Sequence, residues 1–161
     1  MLPWIPGPTA MEKPKKKILF LCTGNAARSQ MAEALARLDH GDVVDPVSAG
    51  SLPTGWVHPL AIRAMEELGA PMDGARSKPA SEFFDTPMDV VVTVCDSAAA
   101  DCPNWPRAAR IEHWSIEDPS FGRDDPSTRY RRFLETRDNL RERIDVLVAS
   151  VSKDPVPRPS P

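Results

Sequence analysis

No stretch of this chain approaches the roughly 18 consecutive apolar residues that a membrane-spanning helix needs. A secretory signal is missing too: the basic cluster Lys15 to Lys17 follows the weak apolar stretch instead of preceding it, and no apolar core comes after. Cysteine is scarce and odd in number, three in 161 residues. That argues against a disulfide-stapled secreted fold and for reactive thiols in a reducing compartment. An excess of charge of one sign is lacking, with 20 basic side chains interspersed among 23 acidic ones. Nothing in this balance suggests a surface for nucleic acid or for a membrane; Lys15 to Lys17 read as a solvated strand entrance, with a polybasic patch as the alternative. His40, His58 and His113 show no ligand spacing, and the cysteines lack the short paired intervals of a zinc site, so no metal is expected. Internal repeats are absent. What remains is a cytoplasmic chain, expected to be a monomer, of a length that suits one domain with a single sizeable core.

Proline marks the ends. Pro3, Pro6, Pro8 and Pro14 fall in residues 1–16, read as a flexible leader within which Met11 is an alternative start. Prolines at 155, 157, 159 and 161 make 151–161 a flexible tail, which leaves 17–150 as one catalytic domain. Within it, apolar runs alternate with helical periodicity. Strands are predicted over 17–22, 43–49, 89–95 and 110–114, the third being the β-branched Asp-Val-Val-Val-Thr-Val-Cys. Helices are predicted over 29–39, with Met31, Ala34, Leu35 and Leu38 inward and Gly41 as the stop, and over 59–68, with Ala61, Ala64, Met65 and Leu68 inward. A short helix is predicted over 77–84, and a long one over 127–149 opening at Ser127, with Tyr130, Phe133, Leu134, Leu140, Ile144, Leu147 and Val148 on one stripe. Alternation of this kind implies an α/β fold with a parallel sheet.

The chain is organised around Cys22-Thr23-Gly24-Asn25-Ala26-Ala27-Arg28-Ser29, which follows directly on Ile18 to Leu21. An apolar strand entering a Gly-containing loop that opens a helix reads as an anion-binding turn, its successive N–H groups aimed at one centre. The five residues from Thr23 to Ala27, with Arg28, are the candidate oxyanion cradle. A thiolate is the nucleophilic form of cysteine, and the positive field of such a turn favours it at Cys22. Ser29 can donate to that sulfur, and the planar fork of Arg28 can grip two anion oxygens.

This segment resembles the phosphate-binding loop of the low-molecular-weight protein tyrosine phosphatase fold. In its longer form, residues 22–33, it resembles the thioredoxin-coupled arsenate reductases that share that fold. Ser48-Ala49-Gly50 matches the family as well, where it lies beneath the anion loop. The resemblance covers roughly residues 17–145. It implies a four-stranded parallel sheet with helices on both faces.

Cys95 ends the strongest strand, and Cys102 follows seven residues later, before Pro103. Parallel strands end on one side of a sheet, which brings Cys95 toward Cys22; inert burial and metal binding are the alternatives from the residues alone. The resemblance extends over this stretch, with the same interval and the same following proline, and implies a relay of Cys22, Cys95 and Cys102. It also implies that Asp118, in His113-Trp-Ser-Ile-Glu-Asp-Pro, is the general acid, with Glu117 and Asp125 as neighbouring competitors. In that mechanism Cys22 attacks arsenate, Asp118 protonates the departing hydroxyl, Cys95 displaces arsenite, and Cys102 presents a Cys95–Cys102 bond to thioredoxin; the electrons come from thiols, so no cofactor is expected. A phosphatase of the same fold would use Cys22, Arg28 and Asp118 alone. Asn25, Glu33 and Ser48, with Ser29, match positions that in some relatives surround a potassium ion. Here Lys78 follows Ser77 where those relatives carry an acid, so Lys78 is expected to be a built-in cation supporting the loop.

Overall fold

The computed structural model describes residues 3, 14–96, 105, 107–122 and 124–153. Its elements in chain order are β1 (Lys16–Cys22), α1 (Arg28–His40), β2 (Val44–Gly50), α2 (Pro59–Glu66), a single 3-10 turn (Ala80–Phe83), β3 (Val90–Thr93), β4 (Ile111–His113) and α3 (Pro126–Lys153). All strand pairs are parallel and run β2-β1-β3-β4. The expected α/β architecture, a four-stranded parallel sheet flanked by helices, is therefore present.

β1 lies inside the sheet, and Ile18, Leu19, Phe20 and Leu21 are essentially inaccessible. A run apolar on both faces suits a parallel strand, which must be covered on each side. α1 packs on β1, β2 and α3, while α2 packs on α1 and α3. The stripe expected on α3 is the buried one: Phe133, Leu140, Ile144, Leu147 and Val148 enter the core, and Tyr130 and Leu134 pack at its margin. Arg141 fastens α3 to α1 through a two-pronged pair with Asp39 at 2.7 and 2.8 Å. No helix among the described residues is long and apolar enough to cross a membrane.

Several boundaries differ from expectation for identifiable reasons. The helix expected over 77–84 shrinks to one 3-10 turn, because Lys78 and Pro79 are extended: Gly50 N–H donates to Lys78 O at 2.9 Å, and Pro79 bridges to Gly50. α3 opens one residue before Ser127. Asp125 Oδ1 accepts from Thr128 N–H at 2.8 Å and Ser127 Oγ at 2.7 Å, with Pro126 in the first helical position. α2 stops at Glu66, and Leu68 is only partly buried. Leu38 turns outward and is 42 % exposed. Gly41 ends α1, but not by a left-handed cap: its φ is −62°, and a Cβ there would stand 2.5 Å from Arg37 O. α3 continues to Lys153, into the expected tail. Most of the expected leader, the end of the tail and Cys102 lie outside the described residues.

The register decides what the fold offers for chemistry. Cys22 pairs with Gly50, Leu21 with Thr93, and Thr93 with His113. The four strands thus end along one edge, the usual ligand side of an open parallel sheet.

Candidate active site

β1 delivers Cys22 to that edge, nearly buried at 2 % exposure and present as a free thiol. The chain then turns through Thr23 to Ala27 and enters α1 at Arg28. Asn25 makes the turn possible. Its φ of 48° is the left-handed region, where a short polar side chain is tolerated because it can bond locally. Its Nδ2 donates to Ser29 Oγ at 2.8 Å, and its carbonyl and Oδ1 both accept from Gln30 Nε2 at 3.1 Å. Lys78 N–H donates to Asn25 Oδ1 at 2.9 Å.

Every carbonyl from Cys22 to Ala27 accepts a hydrogen bond from the surrounding chain. Cys22 O takes Ser51 N–H, Thr23 O takes Leu52 N–H, and Gly24 O takes Thr54 N–H and Ser77 Oγ. Asn25 O takes Gln30, Ala26 O takes His58 N–H, and Ala27 O takes Met31 N–H. With its oxygens tied outward, the loop turns donors inward, and Asn25 N–H points at Cys22 Sγ from 3.2 Å. Ser29 Oγ stands 2.8 Å from the same sulfur. α1 has no side-chain cap at Ala27, so its first N–H groups also face the loop. This is a donor-lined site beside a thiol, built for a negatively charged ligand.

Gly50 lies directly beneath. A Cβ there would meet Thr23 O at 2.6 Å and Asn25 N at 3.0 Å, so the loop rests on a position without a side chain.

Arg28 reaches across to the segment after β4, where Nη1 donates to Ile116 O at 2.8 Å and Nη2 lies 4.0 Å from Asp118 Oδ2. Asp118 Oδ1 accepts from Ser120 N–H at 2.9 Å and Ser120 Oγ at 2.7 Å, which aims the other oxygen at the cleft. That cleft, about 590 Å³, is lined by Thr23, Arg28, Cys95, Asp96, Ile116 and Asp118 among others. Cys95, just past β3, is buried, with its sulfur 3.4 Å from Thr23 Oγ1. The structure therefore gathers Cys22, Arg28, Ser29, Cys95 and Asp118 at one sheet edge. The place of Cys102 lies outside the described residues. Among the described residues no three His, Cys, Asp or Glu side chains group as a metal site would require.

Behind the loop, Lys78 Nζ is enclosed by oxygens: Arg76 O at 3.3 Å, Ser48 Oγ at 3.4 Å and Glu33 Oε1 at 3.7 Å. Burial pushes its ammonium below the ordinary lysine range, and the Glu33 charge opposes that shift. Glu33, Ser48, Lys78 and Asn25 are connected: Ser48 Oγ donates to Glu33, Lys78 Nζ reaches both, and Lys78 N–H donates to Asn25 Oδ1.

Sequence reasoning missed Gln30, Ser77, His58 and Ser120. Gln30 was the findable one, a buried amide on the inner face of α1 inside the motif itself. His58 caps α2 by accepting Leu60 N–H on Nδ1 at 3.1 Å while its own N–H holds Ala26 O. Burial lowers its affinity for a proton, with Asp118 pulling the other way.

Comparison with known proteins bears on what this edge does. The family model described as low molecular weight phosphotyrosine protein phosphatase matches residues 17–156. Arsenate reductase 1 of Staphylococcus epidermidis is 38 % identical over 137 residues, covering 85 % of this chain and 98 % of its own. The solved structure of an arsenate reductase in the phosphate binding state superposes with a TM-score of 0.73 at 33 % identity, over 84 % of this chain and 98 % of the other. A thioredoxin-dependent arsenate reductase from Corynebacterium glutamicum gives a TM-score of 0.69 at 30 % identity, over 89 % of this chain and 64 % of the other.

Proposed function

Since the chain belongs to the low-molecular-weight phosphotyrosine protein phosphatase family, on its arsenate reductase branch, we propose that its sheet-edge site reduces arsenate to arsenite through a relay of three thiols. Arsenate sits in the 22–28 loop, held by backbone N–H groups and the Arg28 fork. Cys22 thiolate attacks arsenic, and Asp118 gives its proton to the oxygen that leaves as water. Ser29 and Asn25 N–H, both on the sulfur, hold Cys22 in line.

Cys95 thiolate then attacks Cys22 Sγ. The electron pair of the sulfur–arsenic bond departs with arsenic, which passes from arsenic(V) to arsenic(III), while the two thiols become the Cys22–Cys95 disulfide. Cys102 next attacks Cys95, freeing Cys22 as thiolate and closing Cys95–Cys102. Thioredoxin returns that bond to two thiols and supplies the two electrons. The observation that carries the reading is the approach of Cys95 Sγ to Thr23 Oγ1, which sets a second thiol at the lip of the anion loop. A phosphatase has no use for a thiol there. The part given to Cys102 rests on its spacing and on the resemblance of residues 95–103 to the reductases.

The deciding experiment measures arsenite formed with thioredoxin, thioredoxin reductase and NADPH, beside a glutathione-dependent control. Turnover with thioredoxin that Cys102→Ala abolishes is the expected result. Turnover that survives Cys102→Ala, or that runs only with glutathione, overturns the relay as written.

A second reading, phosphomonoester hydrolysis, is favoured by the Arg28–Asp118 approach alone. It needs neither Cys95 nor Cys102. Slow hydrolysis of p-nitrophenyl phosphate, retained when Cys95 is replaced, is its signature as a side activity of the same loop.

A further inference from the structure

Cys95 sits on a turn that one imidazole ring braces from both ends. His113 closes β4 opposite Thr93, the last residue of β3. Its Nδ1 lies 2.8 Å from Thr93 Oγ1, two residues before Cys95, and its Nε2 lies 2.8 Å from Asp96 Oδ1, the residue after. Ser115 Oγ donates to the same Asp96 oxygen at 3.1 Å. A carboxylate only accepts, so Nε2–H is the donor to Asp96; at the other end Nδ1 shares Thr93 Oγ1 with Glu112 O, which lies 3.4 Å from that hydroxyl. The His113 hydrogen bond, with that of Ser115, holds the Asp96 carboxyl below the usual carboxylate range. Nothing in the chemistry at Cys22 uses these groups. Asp96 and Ser115 line the cleft that Arg28 also lines, and no hydrogen bond given for His113 or Asp96 goes to the Cys22 sulfur or to the loop; what the ring and the carboxylate fix is the turn carrying Cys95, whose sulfur meets Thr23.

We propose that His113 and Asp96 are positioning residues that clamp Cys95 at the lip of the anion loop, so that the Cys22–Cys95 bond forms quickly once the arsenic adduct exists. The proposal rests on the relay reading. It concerns its second step only, the attack of Cys95 thiolate on Cys22 Sγ with the sulfur–arsenic electron pair leaving on arsenite. Bond closure depends on how tightly the attacking sulfur is held, and a displacement of about 1 Å can cost orders of magnitude in rate.

The test uses the full chain carrying Cys102→Ser, so that the Cys22–Cys95 product accumulates. Reduced protein is mixed with arsenate, quenched in acid, alkylated, and scored for the disulfide by mass spectrometry. His113→Leu and Asp96→Ala are each expected to slow closure about tenfold. The double variant should be no slower than either, since the two act as a unit. Asp96→Asn keeps an acceptor for both donors and should recover most of the lost rate. Hydrolysis of p-nitrophenyl phosphate, which needs only the loop chemistry, should stay within threefold of the parent in His113→Leu. Closure within twofold of the parent in both single variants overturns the clamp. So does a loss of hydrolysis parallel to the loss of closure, which marks general damage. A parent that makes no Cys22–Cys95 bond at all overturns the relay itself, and the clamp with it.

Discussion

Lys78 Nζ stands 3.7 Å from Glu33 Oε1, and that oxygen also accepts Ser48 Oγ at 3.0 Å. Both side chains are largely withdrawn from solvent, at 10 % and 13 % exposure. We propose that this ammonium serves as a built-in cation behind the anion loop. Melting temperature and arsenate turnover are expected to be the same in sodium and in potassium buffers. Lys78→Met removes one of the two cations beside Glu33, which keeps Arg37 at 3.2 Å and Ser48 at 3.0 Å, and should cost about 2 kcal/mol in urea unfolding. A large potassium-specific rise in the parent refutes the built-in cation.

Cys22→Ser should end both arsenate reduction and phosphomonoester hydrolysis, because a serine hydroxyl is not ionised near neutral pH. Steady-state assays decide it. Turnover within tenfold of the parent removes Cys22 as nucleophile.

Gly50→Ala inserts a methyl group 2.6 Å from Thr23 O. The contact is with backbone, which cannot rotate away, so overpacking of about 2 kcal/mol is expected. Phosphate binding followed by calorimetry should weaken at the same time, since the atom struck belongs to the cradle. Normal binding in a destabilised protein shows that the loop yields without distortion.

His58 gives the stability a pH dependence of definite sign. Its proton affinity in the folded chain is lowered, chiefly by burial, and its Nδ1 must be unprotonated to accept Leu60 N–H. Between the ordinary value of 6.5 and the lower folded value, the unfolded chain binds a proton that the folded chain refuses. The His58 contribution is therefore fully present above 6.5 and is lost as the pH falls toward the folded value. Urea midpoints should decline over that interval, and His58→Asn should reduce the slope while keeping a capping side chain. An unchanged slope assigns the titration elsewhere.

Oxidation should rearrange the chain between Cys95 and Cys102. Residues 97–102 lie outside the described residues; the sequence expectation of a helix from Asp96 to Asp101, which the alanines at 98–100 encourage, sets the two Cα atoms roughly 10 Å apart at about 1.5 Å per residue. A disulfide closes only within about 7 Å. Amides 96–102 are expected to exchange faster in the oxidised protein while those of β3 stay protected. Equal protection in both states removes the rearrangement.

The loop could be read from the chain because its chemistry is contiguous: Cys22, Arg28 and Ser29 lie within one turn of a strand end. Parallel topology then predicted that Cys95 would come to the same edge, and the register bears this out. Less legible was everything held from a distance. Ser77 reaches Gly24 across 53 residues, and nothing local in Arg-Ser-Lys announces that. Lys78 could be placed as a charge, but the extended backbone carrying it could not; it exists because Gly50 pairs there, and the local pattern suggested a helix instead. The opening of α3 was misplaced by a residue because Asp125 and Ser127 are both good caps, and only the fold chooses between them.

The outward tethering of the loop's carbonyls has a consequence for discrimination. A cradle that presents only donors grips whatever tetrahedral anion has oxygens to offer, and phosphate is nearly the twin of arsenate in charge and shape. Recognition at the door is therefore coarse. What separates the two is the fate of the bond each makes to sulfur: arsenic can keep the electron pair when a second thiol arrives, whereas phosphorus can only be handed to water. Under the proposed relay, anions are sorted by redox behaviour after admission, and phosphate is expected to compete with arsenate for the cradle.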